Sequence, residues 1–263
     1  MRKGFKNNIK NRIGETKIMN CGEECEIVEY NGCKDITIRF LKTGEKVNTE
    51  YKNFKNGSIK SHLTPTIYGV GVVGFEKTRD ENGKELKSYK VWKNVLQRCY
   101  SKQYYKRYPT YKGCTIFDEW LYYPNFKQWY EENYYEIDGE VMCLDKDILN
   151  KGNKVYSPET CIFVPQFING LFVKCDALRG NFPIGVHWFK KNRNYQSACN
   201  LFNTITNKKE HRVLGYYSTP EEAFNVYKKA KEENIKLVAD YYKDRIPEKL
   251  YNAMYKYEVE ITD

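Results

Sequence analysis

The apolar residues of this chain recur in short segments whose spacing switches along the sequence, alternating in some stretches and following a helical period in others. That switching constrains the fold more than any other feature. It calls for separate sheet and helix modules rather than one continuous sheet or one bundle. At 263 residues the chain has enough sequence for two or three domains and at least one packed core. No apolar run approaches the roughly 18 residues needed to cross a bilayer, so no membrane span is expected. The N-terminal stretch MRKGFKNNIKNRIGE is basic but no apolar segment follows it, which argues against a secretory signal. With that context, the nine cysteines read as reduced thiols of a cytoplasmic protein.

Residues 13–60 read as short strands. The segments 25–30, 35–40 and 46–51 are rich in β-branched and aromatic residues, with turns expected at Asn31-Gly32 and Thr43-Gly44. They predict a small, strongly bent β-domain of the SH3-like barrel kind, followed by a linker through His62, Pro65, Gly69, Gly71 and Gly74. From Tyr89 the spacing turns helical: Val91, Trp92, Val95 and Cys99 share one face, and Lys90, Lys93 and Arg98 lie on the other. A helix over 125–133 would bury Phe126, Trp129 and Tyr130. Residues 141–149 then read as a strand, 151–153 as a Gly-containing loop, 157–160 as a helix start, 161–165 as an apolar strand and 166–172 as a helix.

In the last third, residues 185–203 read as a hairpin and 211–218 as a third strand. Thr219 caps a helix read over 219–235, with Pro220 at its first position and Glu221 and Glu222 at its positive end. Ala223, Val226, Tyr227 and Ala230 form its apolar stripe, and a last helix is expected over 248–256. The fold class is therefore α+β and multidomain.

Lys and Arg exceed Asp and Glu by ten, a balance that favours polyanionic partners. The excess is uneven. Residues 84–112 hold nine basic side chains against Glu85, residues 118–147 hold nine acids against Lys127 and Lys146, and residues 176–215 hold seven basic against two acidic. Fourteen aromatics fall between Tyr100 and Tyr135. Rings among cations can stack on unpaired bases, but core packing is the expected use.

Trp92, Cys99-Tyr100, Tyr111-Lys112-Gly113, Trp120, Phe126 and Trp129 precede a second group: Leu144, Asp145, Lys146, Asp147, Gly152, Asn153, Tyr156, Pro158 and Cys161. Gln166 and Asn169 come next. This pattern resembles a phage-encoded branch of the HNH (His-Me finger) endonucleases, over about residues 89–172. The resemblance implies a ββα finger that hydrolyses phosphodiesters, with Asp145, Lys146, Asp147 and Asn169 as its catalytic set and Asp145, Asp147 and Asn169 as ligands of Mg²⁺. Lys146 stands where the family carries its general-base histidine. An ammonium with a reference pKa of about 10.4 keeps its proton at neutral pH, so the finger is expected to be degenerate.

Residues 182–230, from Phe182-Pro183-Ile184-Gly185-Val186-His187-Trp188 to the Thr219-Pro220-Glu221-Glu222-Ala223 segment, resemble the APETALA2-type DNA-binding domain. Such domains lay a three-stranded sheet into the major groove. Carried over, the contacts are His187, Lys190, Lys191, Arg193, Tyr195, Gln196 and Arg212, joined by the basic helix face of Lys90, Lys93 and Arg98. Trp188, Leu214 and Tyr216 are read as packing residues.

The resemblances divide the chain into a small β-rich domain (1–75), an HNH-like finger domain (76–175) and an APETALA2-like domain with a C-terminal helix (176–263). Three functions stay open. The first is a phage DNA-binding protein with a degenerate finger, bound to double-stranded DNA. The second is an active metal-dependent nicking endonuclease. The third is a phage counter-defence (anti-CRISPR-type) inhibitor of a bacterial immune nucleoprotein complex, acting in the host cytoplasm. Cys21, Cys25 and Cys33 lack an obvious fourth ligand, so zinc is not expected. His62 and His211 have no evident partner in the sequence.

Overall fold

A computed structural model of the chain describes residues 11–173 and 181–263. Helices and strands both contribute, so the protein is α+β, and it divides into two compact units, up to Glu132 and from Asn133 onward. The boundary expected at 175/176 lies outside the described residues. No described helix is long and apolar enough to cross a membrane.

In the first unit, β1 (Thr16–Ile18), β2 (Glu24–Gly32), β3 (Asp35–Phe40) and β4 (Lys46–Thr49) form an antiparallel meander in that order. Alternation selects the covered face. Cys25 and Ile27 on β2 and Ile36, Ile38 and Phe40 on β3 are fully buried. Phe54 of the short helix α1 (Tyr51–Asn56), with Met19 and Ile59, completes that core. Register shifts at Ile27/Glu29 and Tyr30/Gly32 bulge β2, which sharpens the bend of the sheet. The hairpin turns at Cys33-Lys34 rather than Asn31-Gly32, because Gly32 (φ 137°) is drawn into the bulge.

The stretch read as a linker is hydrogen-bonded along its length. Gly74 N–H donates to the His62 carbonyl at 2.9 Å, and the backbone of Val72 exchanges bonds with Leu121 and Tyr123 at 2.8 and 2.9 Å. Gly71 packs so near α2 (Lys87–Tyr100) that a Cβ there would lie 2.4 Å from Leu96 Cδ1. Helix α2 buries Trp92, Val95, Leu96 and Cys99. Trp92 Nε1 donates to the Trp120 carbonyl at 2.6 Å, and Trp92 packs against Tyr123 and Trp120 against Phe126. Helix α3 (Lys102–Arg107), the short strand β5 (Thr115–Ile116) and helix α4 (Tyr123–Asn133) complete the unit. Five of the fourteen clustered aromatics, Trp120, Tyr123, Phe126, Trp129 and Tyr130, are buried in this way, and the rest are half-buried or exposed.

The second unit opens with β6 (Met142–Asp145). After the loop that carries β7 (Val155–Tyr156), β8 (Ile162–Pro165) pairs antiparallel with β6, placing Asp145 opposite Ile162. One helical turn, α5 (Gln166–Asn169), follows directly. Residues 157–160 form a turn closed by Ser157 and Thr160 hydroxyls, not a helix start. Then β9 (Val186–Phe189), β10 (Asn194–Asn203) and β11 (Lys208–Tyr217) make an antiparallel sheet in the order β11-β10-β9.

Helix α6 (Pro220–Tyr242) starts at a capping box in which Thr219 accepts from Glu222 N–H and Glu222 accepts from Thr219 N–H. Its first half buries Ala223, Phe224 and Tyr227 beneath the sheet, with Val186 and Cys199. Gly185 (φ 77°) is required there, since a Cβ would fall 2.0 Å from the Tyr227 ring. Its second half runs on through Ile235, Val238, Ala239 and Tyr242 into another core. That core includes Ile148, Ile162, Val164 and Ile168 from the β6–β8 region and Leu250 and Met254 from α7 (Glu248–Tyr255). One helix of about 35 Å thus supports both halves of the unit.

Candidate nucleic-acid interface

The loop after β6 is closed on itself. Asp145 Oδ1 accepts the backbone N–H groups of Asp147 and Ile148 at 2.8 and 2.7 Å, which turns the chain sharply at the strand end. Burial pushes the Asp145 carboxyl up to about 6, with the neighbouring Asp147 adding to the rise. Lys146 is buried. Its ammonium donates to the Asn153 carbonyl at 2.8 Å and to Asp147 Oδ2 at 3.1 Å. Asn153 answers with its own side chain, donating to the carbonyls of Lys146 and Val155 at 2.6 and 2.7 Å. Lys151 is held by the end of the chain, at 2.8 Å from Asp263 Oδ2 and 2.9 Å from the Glu258 carbonyl.

This donor set suits a divalent cation poorly. One oxygen of Asp145 is occupied by two N–H groups, and Asp147 is bonded to a fixed ammonium whose charge opposes a second cation there. Asn169 lies half-buried on α5. Among the described residues, no group of three or more His, Cys, Asp or Glu is arranged to hold a metal.

The three-stranded sheet offers a different surface. The ladder pairs His187 with Gln196 and Gln196 with Tyr216, so three polar side chains form one row across β9, β10 and β11. Gln196 donates to the Tyr216 hydroxyl at 3.1 Å, and Tyr216 is exposed although its ring also packs against Phe189, with centroids 5.1 Å apart. Lys190, Lys191 and Arg193 lie in the exposed turn between β9 and β10, not on the strands, with Arg193 at φ 51°. Tyr195 turns to the opposite face and packs on Phe182 and Trp188. Arg212 pairs with Cys199, whose thiol is buried above α6, so the register sets it across the sheet from the His187 row. There it bonds Glu210 at 3.3 Å.

Set against family models, curated proteins and solved structures, the chain matches none.

On α2, Lys90 is exposed, while Lys93 is committed to Glu85 at 2.5 Å and Arg98 lies over the Tyr111 ring at 5.3 Å. Sequence reasoning missed the partner of His62. Glu45, almost wholly buried, accepts from Ser61 Oγ and from the His62 N–H at 2.5 and 2.8 Å, and its other oxygen is 2.6 Å from His62 Nδ1. Burial pushes this carboxyl up, but the bonds from Ser61 and His62 outweigh it and hold the group below its ordinary value. The His62 ring also stacks on exposed Phe75. Nothing in the local sequence signals the pair, because the residues meet only once β4 and the following stretch pack.

Proposed function

We propose that this protein binds double-stranded DNA through the β9–β11 sheet, and that the finger-like β6–β8–α5 segment serves as a rigid scaffold without hydrolytic chemistry. The observation that carries the reading is the row His187–Gln196–Tyr216 beside a turn bearing Lys190, Lys191 and Arg193. Side-chain amide, imidazole and hydroxyl groups have the geometry to meet base edges, and the cations of the turn meet phosphates. The opposite face is held by α6, so the polar row is braced from behind.

The scaffold half of the proposal rests on Lys146. Bonded to both Asn153 and Asp147, its ammonium neither accepts a proton from water nor leaves Asp147 open to Mg²⁺. Binding of a labelled duplex, followed by anisotropy as salt is raised, tests the first half. Replacing Lys190, Lys191 and Arg193 by Ala is expected to weaken it, and unchanged affinity would remove the sheet from the proposal. Mg²⁺-dependent nicking of supercoiled plasmid by the unmodified chain would overturn the second half.

A further inference from the structure

The first unit carries a surface of another kind. From Leu86 to Phe117 the chain has eight Lys or Arg residues and no Asp or Glu. Within that stretch α3 and the 3-10 turn after it, Pro109–Tyr111, bury none of their residues. Three tyrosines meet there. The rings of Tyr104 and Tyr108 are 4.7 Å apart at 43°, and those of Tyr104 and Tyr111 are 5.5 Å apart at 57°. Arg107 lies over Tyr108 at 5.4 Å and Arg98 over Tyr111 at 5.3 Å. Lys102, Lys106, Arg107 and Lys112 are exposed, and none of the four has an ion pair among the described residues.

The shelf is preorganised. Ser101 accepts from Tyr104 N–H at 3.2 Å and so caps α3, and the Tyr105 hydroxyl donates to the Cys99 carbonyl in the last turn of α2. The rings are thus presented without an ordering cost at the moment of binding. Tilted aromatic faces with cations around them, on a stretch of chain that itself carries no Asp or Glu, match the chemistry of unpaired nucleobases joined by phosphates. A duplex keeps its base faces stacked inside and would leave these rings without a partner.

We propose that Tyr104, Tyr108 and Tyr111, with the lysines and arginines around them, form a stacking site for an unpaired nucleic-acid strand. The site stands on the first unit alone and does not depend on duplex binding by the β9–β11 sheet. The test uses the full chain with labelled oligothymidine, oligouridine and a duplex, read by anisotropy. Paired Tyr104→Ala and Tyr108→Ala changes are expected to weaken binding of the single strands about tenfold or more, and to leave the duplex within about twofold.

A second variant, Tyr104→Leu with Tyr108→Leu, keeps apolar bulk on α3 but removes the aromatic faces. It is expected to lose single-strand binding as well. Undiminished single-strand binding in the leucine variant would overturn the proposal, as would equal losses on duplex and single strand. Failure of the parent chain to bind either oligonucleotide would also overturn it. Loss confined to Lys190, Lys191 and Arg193 variants would move strand binding to the sheet.

Discussion

Two basic connections in the second unit join antiparallel strands, and they treat their cations in opposite ways. The loop from β6 to β8 encloses Lys146 and ties Lys151 to Asp263, so that its charges meet protein atoms. The turn from β9 to β10 leaves Lys190, Lys191 and Arg193 exposed, without an ion pair among the described residues. Counted by Lys and Arg alone the two look alike, with three each, although the first also holds Asp147 and Glu159. In space, an enclosed ammonium holds a loop together, while an exposed one remains available to an anion. Net charge therefore says little about binding until each cation's partner is known.

The strongest way to break the comparison is to remove the enclosed charge. Lys146→Ala strips the Asn153 carbonyl of its donor and is expected to cost about 2–3 kcal/mol of stability, seen as a lower urea midpoint. Duplex affinity should stay within about twofold, because no exposed cation is lost. An unchanged midpoint would mean that the loop does not need its ammonium.

The exposed turn should behave the other way. Alanine at Lys190, Lys191 and Arg193 is expected to lower duplex affinity about thirtyfold at low salt and to flatten the logarithmic salt dependence by about 2.7 units. The urea midpoint should not move. A salt slope equal to the parent's would show that these side chains do not reach phosphates.

Glu45 extends the contrast to an enclosed anion in the first unit. Glu45→Gln is expected to cost about 1 kcal/mol at pH 7. The bonded carboxyl titrates below its unfolded value, so its contribution is full above that value and is lost as pH falls through the folded one. The difference between parent and variant should therefore close as pH drops below about 4. A gap that persisted in acid would assign the loss to packing around Ser61 and His62 rather than to charge.

The smallest effect is expected at Arg212. Its place across the sheet from the His187 row, bonded to Glu210, predicts that Arg212→Ala changes duplex affinity by no more than about twofold. A larger loss would bring β11's other face into the interface.

Much of the secondary structure was legible because its signals act over a few residues. Thr219, Pro220 and Glu222 determine where α6 starts, since a cap needs only the N–H groups of its own first turn. Alternation along β2 and β3 determines which side chains enter the core. The last turns of α6, beyond the expected end at Ile235, were not legible, because Val238 and Tyr242 gain their partners from β8, α5 and α7.

The candidate sites divide along the same line. The sequence by itself determined the residue types: cations in the β9–β10 turn, Gln196 and His187 on neighbouring strands, and a lysine at 146. Only the tertiary structure decided their use. Strand register put Tyr216 beside Gln196 and turned Arg212 and Tyr195 away. A loop closing over seven residues gave Lys146 to Asn153, and packing across seventeen gave His62 to Glu45. Local backbone preferences reach across a turn of chain, whereas the partner of a charge is set by whichever atoms folding brings within about 3 Å.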